Sequence, residues 1–306
     1  MHSYTLYGIN ISSDGPLLDG GCENSTVWEA GKDTLDIISL PAGESSYCQH
    51  IIDSLELPRG HQLRLYSDQK TLSNKVGRRW CMEVKGIVRF SWVGGEPTLF
   101  YQILRQGSVH RMAYWCVHMV LPMFKAFTEG WHFFHASSVE VAGGAVLFVA
   151  PSYGGKSTLA HHAILRGARL LSDDKVRVRH EASGYCVVPS HPCSRPNRVV
   201  ESLGKPVENY CDEPAPLLAV YCLEQGDAGT KAEINELVSF KKLEALLQHQ
   251  LYSFPAQRRE QLAFLVGMVE HVPVFTFTRP WGLNNMSIIL DSLERHVGLL
   301  QDNSGV

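Results

Sequence analysis

The sequence contains no CxxC pair, although it has eight cysteines among its 306 residues. Because zinc sites and disulfide frameworks use closely or regularly spaced cysteines, this scatter indicates neither of them. Unpaired thiols fit a reducing cytoplasm best. An excess of positive charge is also missing, since 28 Lys and Arg face 31 Asp and Glu for a net charge of −3. The composition therefore carries no electrostatic footprint for nucleic acid, and we expect no such partner.

Long apolar runs are absent as well. The first residues, Met1 to Leu6, lack the basic start and the long apolar core of a signal peptide. The most membrane-like stretch, Met112 to Phe127, is too short for a span and includes His118, Pro122 and Lys125. We therefore expect a soluble cytoplasmic protein with no membrane partner.

The first part of the chain, residues 1–130, is predicted to be a β-rich domain that ends in a helix. A chain of this length with 44% hydrophobic residues can form one large or two smaller domains. The helix is predicted over Ser108 to Glu129, with apolar side chains near helical spacing that favour core packing. Paired strands with exposed edges could present an extended peptide, but an ordinary packing module is the simpler interpretation. The predicted strands are Tyr4–Ile11, Thr34–Leu40, Gln62–Tyr66, Trp80–Val84, Ile87–Val93 and Thr98–Ile103.

From residue 131 to 306, strands and helices alternate, which predicts an α/β core. The tail from Gln301 to Val306 is expected to be frayed. The predicted strands are 138–141, 145–149, 168–171, 175–180, 185–188, 217–223 and 272–277. The first predicted helix begins after residue 155 and ends near residue 166, and the other predicted helices are 238–252, 258–269 and 286–297.

The most informative stretch runs from Gly144 to Asp174. An apolar run, Ala145 to Val149, is typical of a strand buried on both faces. The residues that follow, Ala150 to Ser157, read Ala-Pro-Ser-Tyr-Gly-Gly-Lys-Ser, which is the phosphate-binding-loop pattern GxxxxGK[ST] with alanine at its first glycine. A helix, a glycine stop and a second short strand that ends in Asp173-Asp174 come next. This order predicts an α/β phosphate-binding core of the P-loop type, against the alternative of a surface turn and a solvated bend.

The residue types in this pattern suit a nucleotide. Loop amides from Gly154 to Ser157 at a helix start favour a polyanion, because N–H groups and the helix dipole point at it. Lys156 would reach the β and γ phosphates, and the Ser157 hydroxyl would ligate Mg²⁺. Of the two aspartates, one would help to hold the metal while the other accepts the proton of an attacking hydroxyl.

These segments resemble the C-terminal domain of HPr kinase/phosphorylase, and more closely the smaller HPr-kinase-like peptide-tailoring serine kinases of bacterial peptide-modification clusters. The similar segments are His135–Val139, Ala150–Thr158, Arg166–Asp174 and, more weakly, Val188–Pro192 with Arg195 and Arg198.

The resemblance implies an HPr-kinase-like fold with ATP and Mg²⁺ as cofactors. It implies Asp173 as base, Asp174 with Ser157 at the metal, and His135 near the phosphates. The nucleotide would be held by the loop and by arginines that could clamp a phosphate or an acidic substrate. These residues are Ser152, Tyr153, Gly154, Gly155, Lys156, Ser157, Thr158, Arg195 and Arg198.

Two positions depart from the family pattern. The family has glycine where this chain has Ala150 and again where it has Tyr153. Glycine in such loops permits positive φ and a close approach of phosphate. Tyr153 must therefore leave the concavity or stack over the nucleotide. Gly154, where relatives often carry a side chain, could compensate in part.

The sequence and the resemblance together predict an ATP- and Mg-dependent kinase of a hydroxyl group, with a serine of a peptide or small protein as acceptor. The residues themselves predict a nucleotide site, a metal site and a general base, whereas only the resemblance implies that the acceptor is a serine. Two alternatives stay open, a kinase of a small-molecule alcohol and a nucleotide-sensing or peptide-binding adaptor with a degenerate loop. The acceptor, the choice among ATP, GTP and pyrophosphate, and the oligomeric state are open as well.

Overall fold

A computed structural model describes residues 1–18, 33–40, 48–57, 60–70, 76–196, 199–227 and 230–304. The chain is mixed α/β over these residues and divides into two compact units. Unit 1 comprises residues 1–130 together with 199–203, and unit 2 comprises residues 131–198 and 204–306. The segment 199–203 therefore belongs to unit 1, although the chain on both sides of it belongs to unit 2.

Unit 1 is built on one sheet of eight strands, as far as the chain is described. The strand order across the sheet is β1-β2-β3-β8-β7-β6-β5-β4, with β3 parallel to both of its neighbours and all other pairs antiparallel. The strands are β1 (His2–Leu6), β2 (Ile9–Ser13), β3 (Thr34–Ser39), β4 (His50–Leu57), β5 (His61–Ser67), β6 (Arg79–Val84), β7 (Val88–Val93) and β8 (Thr98–Ile103).

Two strand predictions in unit 1 need correction. The segment predicted as one strand, Tyr4–Ile11, is two strands, because Tyr7 and Gly8 both have positive φ (54° and 79°) and close a hairpin. Strand β4 was not predicted, and its apolar residues Ile51 and Leu55 are exposed. The sequence also has a turn signal at Arg59-Gly60, and Arg59 lies outside the described residues.

The predicted helix Ser108–Glu129 is present and contains a π-helical turn. It consists of α1 (Val109–Trp115), the turn Cys116–Val120 and α2 (Leu121–Glu129). Trp80 packs edge-to-face on Phe127, and Trp92 packs in the same way on Phe124. The apolar stripe is therefore a core contact, as expected. No helix in the described part of the chain is both long and apolar enough to cross a bilayer.

Unit 2 contains the remaining elements. The main sheet has the order β12-β10-β11-β17-β14-β13-β9, with β19 paired to β17 and β18 paired to β19, while β15 and β16 form a separate pair. The elements are β9 (His132–Phe134), β10 (Ala136–Val141), β11 (Gly144–Val149), α3 (Lys156–Leu165), β12 (Arg169–Asp173), β13 (Val176–Glu181), β14 (Gly184–Val188), β15 (Cys193–Ser194), β16 (Lys205–Pro206), β17 (Ala215–Gly226), β18 (Glu233–Glu236), α4 (Phe240–His249), α5 (Arg258–His271), β19 (Val274–Pro280) and α6 (Met286–Ser304).

Helices cover both faces of β11, which explains its uninterrupted apolar sequence. Its alternate residues Ala145, Leu147 and Val149 pack in the same cluster as buried residues of α4 and α5. The residues between them, Val146 and Phe148, pack in a second cluster with α3 and α6. Strand β11 is therefore the centre of unit 2, and the loop that follows it is anchored in the core.

Most predicted elements of unit 2 are present, although several of their ends differ and strands β9, β15, β16 and β18 were not predicted. Helix α4 stops at His249 rather than at residue 252, because Gln250 is extended (φ −67°, ψ 128°). Strand β19 continues to Pro280, beyond the predicted end at Phe277. The prediction of a frayed tail from Gln301 is wrong as far as Ser304, since α6 reaches that residue.

Candidate functional site

The candidate site lies at one edge of the sheet of unit 2. Strands β11, β17 and β19 are parallel, and β12 runs in the same direction because β10 is antiparallel to both β11 and β12. Their carboxyl ends therefore meet at one edge, where open α/β sheets bind ligands. The loop 150–155, the aspartates 173–174 and the end of β19 all lie at this edge.

The loop from Ala150 to Gly155 is a tight turn that leads directly into α3. The Gly154 N–H donates to the Pro151 carbonyl at 3.0 Å, and Gly155 has a φ of 83° as the residue before the helix. No side chain caps the first turn of α3. Because the first N–H groups of a helix lack intrahelical acceptors, this end suits an anion.

The two polar side chains in the middle of the loop point away from it. Tyr153 has a φ of 66° and is 79% exposed, and Ser152 is exposed as well. Both side chains therefore lie outside the concavity, and stacking of Tyr153 over a nucleotide stays a prediction. Thr158 is half-buried one turn into the helix.

Ala150 and Gly154 fit each other. A Cβ on Gly154 would lie 2.6 Å from the Ala150 Cβ, closer than two carbon atoms can approach. Ala150 is itself buried in the cluster that contains α3. The methyl group at position 150 therefore requires glycine at position 154.

We expect Gly154→Ala to destabilise the protein by about 1 to 3 kcal/mol, because the added methyl group overpacks the loop. The double variant Ala150→Gly/Gly154→Ala should recover most of that loss, since the first change removes the opposing methyl group. Urea unfolding of the two single variants and the double variant measures the coupling. Additive effects would show that the two positions do not interact.

Lys156 is folded back onto the loop. It is only 4% exposed, and its Nζ donates to the carbonyls of Ala150 (2.8 Å) and Pro151 (3.2 Å). The same ammonium lies 3.1 Å from Nε2 of His135. Since an ammonium can only donate, Nε2 accepts this hydrogen bond and the proton of a neutral imidazole is placed on Nδ1.

Asp174 contacts the other side of the His135 ring, so that Asp174, His135 and Lys156 are connected in series. Its Oδ1 lies 3.2 Å from Nδ1 of His135, and its Oδ2 lies 3.4 Å from Nζ of Lys175. The backbone at Asp174 has a φ of 75°, and its N–H donates to the Ala136 carbonyl at 2.8 Å. The carboxylate therefore orients His135, and the line Asp174–His135–Lys156 leads from the end of β12 to the loop.

Asp173 occupies a different environment beside the first turn of α3. It is 2% exposed, and its Oδ1 accepts from the hydroxyls of Ser157 (2.8 Å) and Ser137 (2.6 Å). Its Oδ2 accepts from the Ser194 hydroxyl (3.2 Å) and the Arg195 N–H (2.8 Å). These donors satisfy the buried carboxylate and hold it against Ser157.

The segment that follows α4 lines the same site. The His249 carbonyl accepts from the His135 N–H at 2.8 Å, and the Leu251 N–H donates to the Phe133 carbonyl at 2.9 Å. Burial, with the charge of Lys156 and the neighbouring His135 ring, lowers the pKa of His249 to about 4, so its ring is neutral near pH 7. Burial and the Asp174 charge raise the pKa of Tyr252, whose buried hydroxyl has no partner among the described residues.

Arg279 is at the site although the sequence analysis did not select it. It is the next-to-last residue of β19, and its Nη2 donates to the Gly154 carbonyl at 2.6 Å. Its position at the carboxyl end of a strand was the available signal. The predicted strand ended at Phe277 and therefore did not include Arg279.

The predicted residues separate into those at the site and those elsewhere. His135, Gly154, Gly155, Lys156, Ser157, Asp173 and Asp174 are brought together. Arg195 contributes its backbone N–H to Asp173. Arg198 lies outside the described residues.

The oxygen atoms of Ser157 and Asp173 are donors of the kind that Mg²⁺ prefers. Where the structure describes the chain, no three His, Cys, Asp or Glu side chains form a group that could hold a metal ion. Mg²⁺ in nucleotide sites is typically held by one or two protein oxygens together with phosphates and water. The pair Ser157 and Asp173 therefore fits that ion.

The comparisons with known proteins find matches among solved structures. No model of a known protein family matches the chain, and no curated protein matches it. A solved structure, the Hpr(Ser) kinase/phosphatase from Coxiella burnetii, aligns with a TM-score of 0.35 and 14% identity over 56% of this chain and 98% of that one. With so low a TM-score, the contacts described above must carry any inference about function.

Proposed function

We propose that the chain is a phosphotransferase that uses Mg-ATP to phosphorylate a hydroxyl group. The observation that carries the proposal is the 2.8 Å contact between Ser157 at the start of α3 and Asp173 at the end of β12. It places a hydroxyl and a carboxylate beside an uncapped helix start that also carries a buried lysine. Phosphoryl transfer needs this combination of positioning and charge neutralisation.

The proposed roles follow from the contacts. The N–H groups at the start of α3 and the Lys156 ammonium would hold the phosphates, which supply the transferable group when the nucleotide is bound. Ser157 and Asp173 would hold Mg²⁺, which supplies charge neutralisation when it is bound. Lys156 would exchange the carbonyls of Ala150 and Pro151 for phosphate oxygens.

The contacts favour the opposite assignment of the two aspartates to that implied by the resemblance. Asp173 is buried against Ser157 and accepts four hydrogen bonds, which suits a metal-holding group. Asp174 is half-buried and is paired with His135. We therefore propose that Asp174, with His135 beside it, accepts the proton of the acceptor hydroxyl. The Nδ1–H of His135 would stabilise the Asp174 carboxylate and fix its direction.

The proposed acceptor is a serine of a peptide or small protein, because the sequence resembles peptide-tailoring serine kinases. The Tyr252 hydroxyl, which has no partner in the described part of the chain, feels the charge of Asp174, and the neutral His249 lies next to His135. These groups do not distinguish a peptide from a small alcohol. The acceptor class therefore has to be found by experiment.

The test combines binding and transfer in the wild-type protein. Mg-ATP is titrated calorimetrically, and the protein is then incubated with Mg-ATP and two acceptor panels, serine-containing peptides and small alcohols. We expect saturable binding and a gain of one phosphate in mass spectrometry on a member of the peptide panel. Phosphate on an alcohol alone would identify a small-molecule kinase. Binding without any transfer would favour the adaptor, and the absence of binding would overturn the proposal.

A further inference from the structure

Arg279 is a buried cation for which the described residues provide no anionic partner. It is 5% exposed, and no salt bridge to a carboxylate is found for it among the described residues. Its Nη2 donates to the Gly154 carbonyl and its Nε has no partner in the described part of the chain. Its Cζ lies 5.6 Å from the centre of the Trp281 ring. A buried guanidinium normally has a carboxylate beside it, because burial of an unpaired charge is costly.

The strand places this charge above the start of α3. Phe275, Phe277 and Arg279 are alternate residues of β19, and the two phenylalanines pack in the cluster that contains α3 and α6. A Cβ on Gly155, the residue before α3, would lie 2.6 Å from Nη2 of Arg279. The guanidinium thus touches the positive end of the helix dipole, where a cation is disfavoured and an anion is favoured.

The surroundings make this placement unfavourable for a protein without ligand. Burial lowers the pKa of Arg279, which shows that its charged form is poorly solvated. The buried ammonium of Lys156, the first residue of α3, donates to the Ala150 carbonyl of this loop and adds a second positive charge. Two cations and a helix start together form a site for a group with several negative charges.

We propose that Arg279 binds the phosphate oxygens of a polyphosphate ligand held by the loop 150–155, and that its charge is retained for this purpose at the expense of stability. The inference rests on the proposed function for the location of the ligand but not for the transfer reaction. The planar fork of an arginine suits phosphate, because two N–H groups can bind two oxygens. Release of the Gly154 carbonyl would make Nη2 available.

The experiment uses Arg279→Met in the full chain, with Arg279→Lys as a conservative variant and Arg259→Met as control on an exposed arginine of α5. The probes are inorganic pyrophosphate, tripolyphosphate and Mg-ATP in calorimetric titrations. We expect Arg279→Met to weaken binding of all three at least about tenfold, Arg279→Lys to weaken it less, and the control to leave it unchanged. Binding of Mg-ATP but not of the inorganic anions would show that the nucleoside contributes essential contacts. In that case the inference requires that Arg279→Met weakens the binding of Mg-ATP.

Thermal unfolding without ligand separates a binding role from a structural one. Removal of an unpaired buried charge should raise the Tm of Arg279→Met by about 2 to 4 °C. If the hydrogen bond from the guanidinium to the Gly154 carbonyl instead stabilises the protein, the Tm of Arg279→Met should fall, and that result would overturn the inference. Unchanged anion affinity would overturn it too, even if Lys156→Met abolishes binding and thus supports the proposed function. Anion binding that depends on Arg279 in a protein that transfers no phosphate would support the inference and contradict the kinase.

Discussion

Lys156→Met is expected to lower the rate of phosphoryl transfer by a factor of about 10² to 10³, which corresponds to about 3 to 4 kcal/mol of transition-state stabilisation. The lysine donates to two loop carbonyls and to His135, so its ammonium lies at the centre of the site. Methionine keeps most of the apolar stem, which is buried, but removes the charge. The loss of rate should be accompanied by weaker Mg-ATP binding. The Tm should fall as well, because the carbonyls of Ala150 and Pro151 and the His135 ring lose their donor.

The matched control for this prediction is Lys241→Met, which removes an exposed lysine of α4 in the same unit. Steady-state transfer and Mg-ATP titration are measured for both variants and for the wild type. The control should retain wild-type values. A Lys156→Met variant that binds and transfers normally would show that the loop does not hold the phosphates of the donor, and the proposed function would be wrong.

The local part of the site could be predicted because it is consecutive in sequence. The apolar run of β11, the tight loop and the helix from Lys156 are present, and Gly167, with a φ of 105°, follows the end of the helix as predicted. Local signals sufficed here, since a strand buried on both faces and a glycine at positive φ are written in the residues themselves.

The remaining part of the site depends on contacts between residues that are distant in sequence. Arg279 reaches Gly154 across 125 positions because β19 lies next to β17, which lies next to β11. His249 faces His135 because the chain after α4 pairs with the end of β9, where residue 250 had been predicted as helical. Neither strand order nor a non-local pairing is encoded in local periodicity. The partners of the two aspartates were unpredictable for the same reason.

The two adjacent aspartates should fail in different ways when each is replaced by asparagine. In Asp174→Asn, the group that faces His135 can no longer accept a proton, so transfer should fall about 10² to 10⁴-fold while Mg-ATP affinity stays near the wild-type value. In Asp173→Asn, an amide replaces the carboxylate beside Ser157, so the Mg²⁺ concentration for half-maximal transfer should rise at least about tenfold. The measurements are transfer rates over a Mg²⁺ series and a pH series.

Stability provides a second difference between the two positions. Asp173 accepts from three hydroxyls and one backbone N–H. An asparagine at this position can keep its oxygen toward the Arg195 N–H, but it replaces charge-assisted hydrogen bonds by neutral ones and should cost about 1 to 3 kcal/mol. Asp174 is half-buried, so its replacement should cost less. Asp302→Asn, at an exposed position of α6, is the control.

The opposite pattern would restore the assignment implied by the resemblance to HPr-kinase-like proteins. If Asp174→Asn shifts the Mg²⁺ dependence and Asp173→Asn abolishes transfer at every Mg²⁺ concentration, then Asp173 is the base and Asp174 holds the metal. At least one of the four hydrogen bonds that Asp173 accepts would then have to break before it could accept a proton. Because Asp174 is less buried than Asp173 and lies against the His135 ring, we expect the base to be the residue that contacts His135.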